Sequence, residues 1–216
     1  ILFAMIRGSH DRILPLAIIG LGNPGSDYDG TRHNVGFAVA DLIQLRLRRT
    51  CSGKSSGAQL TTGHWKWRRV HLLKPTRFMN LSGEPVRMFL ESHQMKADQI
   101  LVVLDDIDLP LGSIRIRSGG SSGGHKGLED IITALGTDRI ARCRVGVGRP
   151  SGQAEVHDHV LDRPSADENP IIEKSIELAS ETALCWLVEG VTNAARRYNG
   201  PLPDEESKPS NGTATE

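Results

Sequence analysis

The segment Leu16 to Phe37 reads Leu-Ala-Ile-Ile-Gly-Leu-Gly-Asn-Pro-Gly-Ser-Asp-Tyr-Asp-Gly-Thr-Arg-His-Asn-Val-Gly-Phe, and it leaves few folds open. Its apolar start, Leu16 to Ile19, is short and partly β-branched, as expected of a buried strand. Gly20-Leu21-Gly22-Asn23-Pro24-Gly25 then forces an abrupt turn. The pattern predicts a helix from near Thr31, whose hydroxyl can cap the first turn. Val35, Ala38, Val39, Leu42 and Ile43 recur at helical spacing and face a core. His33 then falls in the first helical turn, above the carboxyl end of the strand. In open α/β sheets that crevice is where ligands bind.

Gly20-x-Gly22-x-x-Gly25 also fits a dinucleotide-binding pattern. That motif needs a helix that starts at the glycines, so that its N-terminus meets a pyrophosphate. Here Pro24 and the polar run Ser26 to Gly30 delay the helix, and Asp41 lies inside it rather than ending a second strand. The dinucleotide reading is therefore set aside.

Further blocks follow. Lys74-Pro75-Thr76-x-x-Met79-Asn80-Leu81-Ser82-Gly83 ends one strand and leads into a helix from about Glu84 to His93, with Pro85 in its first turn. Ile100 to Leu104 is the most apolar run and reads as a central strand. It delivers Asp105-Asp106-Ile107-Asp108-Leu109-Pro110-x-Gly112 at its carboxyl end. Gly119-Gly120 through Gly123-Gly124-His125-Lys126-Gly127-Leu128 forms a Gly/Ser loop that opens a helix over about 126–135. Together with Tyr28 and Thr31-Arg32-His33-Asn34, these blocks resemble the signature of bacterial-type peptidyl-tRNA hydrolases, in order and spacing, over roughly residues 16 to 200. The resemblance implies a single-domain α/β fold, with a twisted mixed sheet sandwiched between helices. It implies hydrolysis of the ester between peptide and tRNA in peptidyl-tRNA, which recycles tRNA from aborted translation.

The rest of the chain agrees with one α/β domain. Residues 52–57 read as a loop, 58–63 and 66–73 as a hairpin around Gly63-His64, 113–117 and 144–148 as strands. Trp65 and Trp67 share a strand face and either stack on RNA or pack. Past Pro150 the chain turns polar through Glu168 and is expected to cover the site. Asn169-Pro170 starts an amphipathic helix with Ile172, Ile176, Ala179, Ala183 and Trp186 on its apolar stripe, and Gly190 is expected to end it. Residues 1–15 read as a native extension or a cloning remnant, and 201–216 as a disordered tail.

Formal net charge is zero, from 26 basic and 26 acidic residues, so bulk charge does not announce a nucleic-acid binder. The basic residues nevertheless cluster, at Arg46, Arg48 and Arg49, at Lys66, Arg68 and Arg69, and at Arg139, Arg142 and Arg144. Such patches hold phosphates or are simply solvated. Cys51, Cys143 and Cys185 have no metal-ligand or redox spacing, and the latter two read as buried hydrophobes. No apolar run of membrane-spanning length occurs.

The chemistry would rest on His33, Asp105, Asn80 and Asn23. A neutral imidazole can take a proton from water near pH 7. A carboxylate on its other nitrogen fixes the tautomer, and an amide N–H₂ can stabilise an oxyanion by about 3 kcal/mol. The resemblance carries the base role onto His33, the orienting role onto Asp105, oxyanion contacts onto Asn80 and substrate positioning onto Asn23. Tyr28, Met79, Lys126, Arg117 and Arg144 are its substrate-binding residues, the two arginines at positions that grip phosphate. Lys126 stands where the family often has Asn after Gly-Gly-His, and it faces either a phosphate or solvent beside Glu129 or Asp130. The bland alternatives are a capping role for His33 and turn roles for Asp105 and Asn80. Asp105, Asp106 and Asp108, and His157-x-His159, are weak metal candidates. No serine sits in a nucleophile elbow and no cysteine beside a base, so direct water attack is preferred. The expectation is an esterase with no cofactor and no metal, monomeric, cytoplasmic, without membrane contact, whose partner is peptidyl-tRNA. The alternative is a non-catalytic RNA-binding relative.

Overall fold

The computed structural model describes residues 14–55, 57–150 and 155–203. The expected tail beyond residue 203 and nearly all of the amino-terminal extension lie outside the described residues. At its centre is a seven-stranded sheet in the order β2-β3-β4-β1-β5-β7-β6. The strands are β1 (Leu16–Gly20), β2 (Arg48–Ser55), β3 (Ala58–Trp65), β4 (Arg68–Pro75), β5 (Ile100–Asp106), β6 (Ile114–Arg117) and β7 (Ala141–Gly146). The four inner strands β4, β1, β5 and β7 are parallel; β2, β3 and β6 are antiparallel to their neighbours. The sheet is thus mixed, as expected.

Alternation along the inner strands loads both faces, which is why these strands read as unbroken apolar runs. Ile18, Leu101, Val103, Cys143 and Val145 face one core, under α1 (Val35–Arg46) and α5 (Asn169–Tyr198). Ala17, Ile19, Ile100, Val102 and Leu104 face the other, under α2 (Gly83–Ser92) and α3 (Lys126–Leu135). A short helix, α4 (Val156–Leu161), lies outside these layers. No helix among the described residues is long and apolar enough to cross a membrane.

Several expected elements shift. Residues 52–55, expected within a loop, end a strand that runs from 48: β2 is exposed along almost its whole length and is held by backbone pairing to β3, so it carries no hydrophobic pattern to read. The hairpin turns at Lys66-Trp67 rather than Gly63-His64, because Trp65 pairs with Arg68. Trp67 therefore sits in the turn, 60% exposed, while Trp65 packs partly against the core. The last inner strand runs 141–146, three residues early, where Cys143 and Val145 point into the core. Thr31 does not cap with its hydroxyl, which donates to Tyr28 O at 2.8 Å; a 3-10 turn, Arg32–Asn34, precedes α1. Gly190 breaks the helical path at φ +78° without ending the element, and the cap position before Pro170 is Glu168.

His71 on β4 is 2% exposed, packed against the rings of Phe89 and His93. Burial, with help from His93 and Arg69, lowers its pKa from 6.5 to about 4. The unfolded chain binds that proton first, so the contribution is intact above pH 6.5 and drains as pH falls toward 4. The loss is on the order of 3 kcal/mol at its full extent. Thermal melts between pH 7.5 and pH 5 should show a Tm loss that shrinks in His71→Leu. Equal losses in both proteins would refute the assignment.

Candidate active site

The carboxyl ends of β1 and β5 bring the site together. β5 delivers Asp105 in a 3% exposed position. The 3-10 turn that follows β1 delivers His33, whose Nδ1–H donates to Asp105 Oδ1 at 2.9 Å. That turn can lie against the sheet because two glycines meet there. A Cβ on Gly20 would stand 2.3 Å from Gly36 O, and one on Gly36 would stand 2.4 Å from Val103 O. The glycines serve helix-on-strand contact rather than a pyrophosphate.

A second histidine joins them. His125, at the N-cap of α3, donates from Nε2–H to the same Asp105 Oδ1 at 3.0 Å. Its Nδ1 accepts from Leu128 N–H at 3.3 Å, which fixes its tautomer as neutral and Nε2-protonated. The two imidazole rings lie 5.1 Å apart. Burial pushes the Asp105 carboxyl upward, but the two histidines outweigh it and hold it below the ordinary carboxylate range. With its Nδ1–H on Asp105, a neutral His33 leaves the Nε2 lone pair unbonded, the form a general base requires.

His33, Asp105 and His125 are also the trio whose ligand atoms lie close enough for a metal ion. Binding one would displace both protons on Asp105 Oδ1 and turn His125 Nδ1 from acceptor to donor against Leu128 N–H. The hydrogen bonding therefore fits a neutral pair of histidines better than an ion. The weak metal candidates do not converge: Asp106 takes Arg144, Asp108 takes Arg149, and His159 Nε2–H donates to Gly148 O.

Asn23 is held rigidly. Asn34, buried, accepts from Asn23 N–H at 2.7 Å and donates to Asn23 O at 3.0 Å. Asn23 Oδ1 accepts from Met79 N–H at 2.8 Å, and no described residue accepts from its Nδ2. Met79 is buried on the turn Met79–Leu81 and wedges against Gly127, where a Cβ would meet Met79 Sδ at 2.4 Å. Asn80 beside it is exposed and has no hydrogen bond to a described residue. Tyr28 meets the exposed Phe78 edge-on, ring centroids 6.3 Å apart.

A cavity of about 440 Å³ opens over His33, Asp105 and His125, walled also by Lys126, Arg144 and the α4 residues Val156, His157 and Val160. Asn23, Asn80, Tyr28 and Met79 do not line it. Lys126 is exposed and has no bond to Glu129, Asp130 or any other described residue. A smaller pocket of about 140 Å³ adjoins, walled by Arg115, Arg117, Arg142 and Arg144. Arg142 is 1% exposed and donates only to carbonyls, of Ile140, Gly120, Ser121 and Asp138. Burial, with Arg144 and Arg117 adding to it, lowers its pKa to about 10.

Sequence reasoning missed His125, Asn34 and Arg32 as site residues. His125 sat in the quoted Gly-Gly-His block, and its place just before a helix start was the available signal. Arg32 is buried, and its Nη1 donates to the carbonyls of His159, Asp162 and Arg163 while Nη2 pairs with Glu168 at 2.6 Å. The residue before the candidate base thereby closes the carboxyl end of α4, which covers the cavity.

Comparison with known proteins places this geometry. A family model described as peptidyl-tRNA hydrolase matches residues 17–208. A curated peptidyl-tRNA hydrolase of Halalkalibacterium halodurans is 46% identical over 182 residues, covering 84% of this chain and 98% of that protein. One from Caldanaerobacter subterraneus is 42% identical over 183 residues, covering 85% and 98%. The crystal structure of peptidyl-tRNA hydrolase from Acinetobacter baumannii superposes with a TM-score of 0.79 at 32% identity, covering 89% of this chain and 99% of that one.

Arg32→Lys tests the α4 anchor. A lysine keeps the charge but cannot fork to three carbonyls and a carboxylate. Stability should fall by about 2 kcal/mol or more, and amide exchange should quicken selectively across 156–163. Unchanged protection there would refute the anchor.

Proposed function

Because the chain belongs to the peptidyl-tRNA hydrolase family, we propose that it hydrolyses the ester joining peptide to tRNA by direct attack of water, with His33 as general base. The observation that carries this reading is the His33 Nδ1–H···Asp105 Oδ1 bond, which leaves Nε2 unprotonated at the edge of the cavity. His33 Nε2 takes a proton as water adds to the ester carbonyl. The imidazolium, stabilised by Asp105, then returns it to the departing ribose oxygen. His125 keeps Asp105 oriented and ionised from the other side. The unbonded amide of Asn80 and the Nδ2 of the clamped Asn23 are the donors for the developing oxyanion and the substrate.

Around this centre the substrate divides by chemistry. Tyr28 and Met79, outside the cavity lining, receive the peptide side. Arg117 and Arg144 wall the basic pocket and take phosphate, with Lys126 as a further phosphate contact at the cavity rim. Arg144 is partly committed to Asp106 and to the Ser121 and Ser122 carbonyls, so it offers phosphate what those bonds leave open. The enzyme acts as a monomer in the cytoplasm, returning tRNA to translation.

Purified protein assayed on peptidyl-tRNA, with aminoacyl-tRNA as control, tests the reading. His33→Ala should lower kcat by roughly 10²–10⁴-fold while tRNA binding and Tm stay near wild type. A variant that keeps a tenth of kcat, a loss of only ~1.4 kcal/mol, would rule out the base role. No turnover by wild type would favour the RNA-binding alternative.

Lys126→Asn should keep substantial kcat but raise KM several-fold. It should also flatten the salt dependence of kcat/KM by about one contact, ~0.7–0.9 in log–log slope. Parallel salt curves for the two proteins would refute the phosphate contact.

A further inference from the structure

Between Asp41 and Glu84 the chain carries nine lysines and arginines and no aspartate or glutamate, although its total formal charge is zero. Two of the nine are neutralised by the carboxylates at the ends of the stretch, Lys74 by Asp41 and Arg77 by Glu84. None of the others forms an ion pair with a described residue. Strand pairing gathers most of them. Arg48 lies opposite His64, His64 opposite Arg69, and Trp65 opposite Arg68. Lys66 occupies the connecting turn, and α1 ends beside them at Arg46. On the adjoining helix α5, Glu189 is already taken by Arg197, which bonds both of its oxygens.

This cluster stands at the wrong end of the sheet for the reaction. β4 runs parallel to β1 and β5, and the catalytic groups sit at their carboxyl ends. Arg68 and Arg69 begin β4 (Arg68–Pro75), so most of that strand separates the cluster from the carboxyl edge, about 20 Å at 3.3 Å per residue. In the same place Trp67 is 60% exposed with Lys66 Nζ 5.9 Å from its ring centre. Arg49 adopts φ +54° at a register shift between Arg48 and Cys51. A bulge of this kind re-aims side chains and holds a strained residue.

Protection of an edge strand would explain basic residues on β2 alone. It does not explain the matching charges on the turn, on β4 and at the end of α1, nor an exposed tryptophan among them. Unscreened like charges oppose folding, whereas basic groups interleaved with an aromatic face match a polyanion with stackable bases. Among the described residues, exposed apolar area at this end is confined to Trp67, Leu45 and Leu14, and no amphipathic helix presents it, so an anionic bilayer is the poorer match.

We propose that this end of the β2-β3-β4 sheet is a second RNA-binding surface, which holds a single-stranded RNA segment other than the substrate in the active site. The arginines contact phosphates and Trp67 stacks on a base.

Fluorescence anisotropy with a labelled oligouridylate of about 12 nucleotides tests it, on wild type, Arg48→Glu/Arg69→Glu and Trp67→Ala. Wild type should bind with salt-dependent affinity. The charge reversal should weaken binding at least tenfold and flatten the log–log salt slope by roughly 1.4, two single-strand contacts. Trp67→Ala should weaken binding several-fold with little change in slope. Both variants should keep kcat/KM on peptidyl-tRNA within about twofold of wild type and melt at or above its Tm. Four results would overturn the proposal: no binding by wild type, equal binding by the variants, a parallel loss of kcat/KM that makes the patch part of the substrate site, or tighter binding to phosphatidylglycerol vesicles than to RNA.

Discussion

One oxygen, Oδ1 of Asp105, accepts hydrogen bonds from two imidazoles while its residue is 3% exposed at the end of a fully buried strand. A carboxylate in that position loses its hydration, a penalty of several kcal/mol unless donors replace the water. Two imidazole N–H donors supply the replacement. Each then has its remaining nitrogen defined: His125 Nδ1 accepts from Leu128 N–H and starts α3, and His33 Nε2 is left for the cavity. The carboxylate therefore orients imidazoles on two elements far apart in sequence.

Holding that arrangement requires backbone contacts tighter than side chains allow. Gly20 against Gly36 seats the His33 turn on the sheet, and Gly127 against Met79 seats the start of α3 on the turn before α2. Asn34 locks Asn23 through both backbone groups, and Asn23 in turn holds Met79 N–H. The chain thus ties the first loop, the Met79 turn and the Gly/Ser loop to each other through amides and glycines. Asn80, exposed between these fixed points, keeps its own amide unspent.

The parts of the fold that were legible in the sequence are those whose burial leaves a pattern. The inner strands β1 and β5 leave an unbroken apolar run, and helices α2 and α3 and the α5 stripe leave a helical period. The end of β2, residues 52–55, was read as a loop because its side chains face solvent and its pairing to β3 is mainly through the backbone. The displaced hairpin turn shows the same limit, since pairing register places Trp67 in the turn while its chemistry suggests a strand. Among site residues, His33 and Asp105 were legible through motif blocks, whereas Arg32 was not. Its partners, three carbonyls and the Glu168 carboxylate, lie more than a hundred positions away, and a carbonyl has no residue type to recognise.

The same asymmetry governs what composition reveals about charge. A net of zero is a sum, and the fold sorts its terms by place. At the active-site end the carboxylates are committed one by one: Asp105 to histidines, Asp106 to Arg144, Asp108 to Arg149. Arg142 is held there by carbonyls alone, so its full charge adds to the field of the small arginine-walled pocket. At the far end of the sheet no described carboxylate pairs with the basic cluster, Glu189 being taken by Arg197. A neutral protein can therefore present two positive faces to a polyanion. Because exposed charges are screened beyond about a Debye length, ~8–10 Å at moderate salt, each face acts on its own partner with little help from the other.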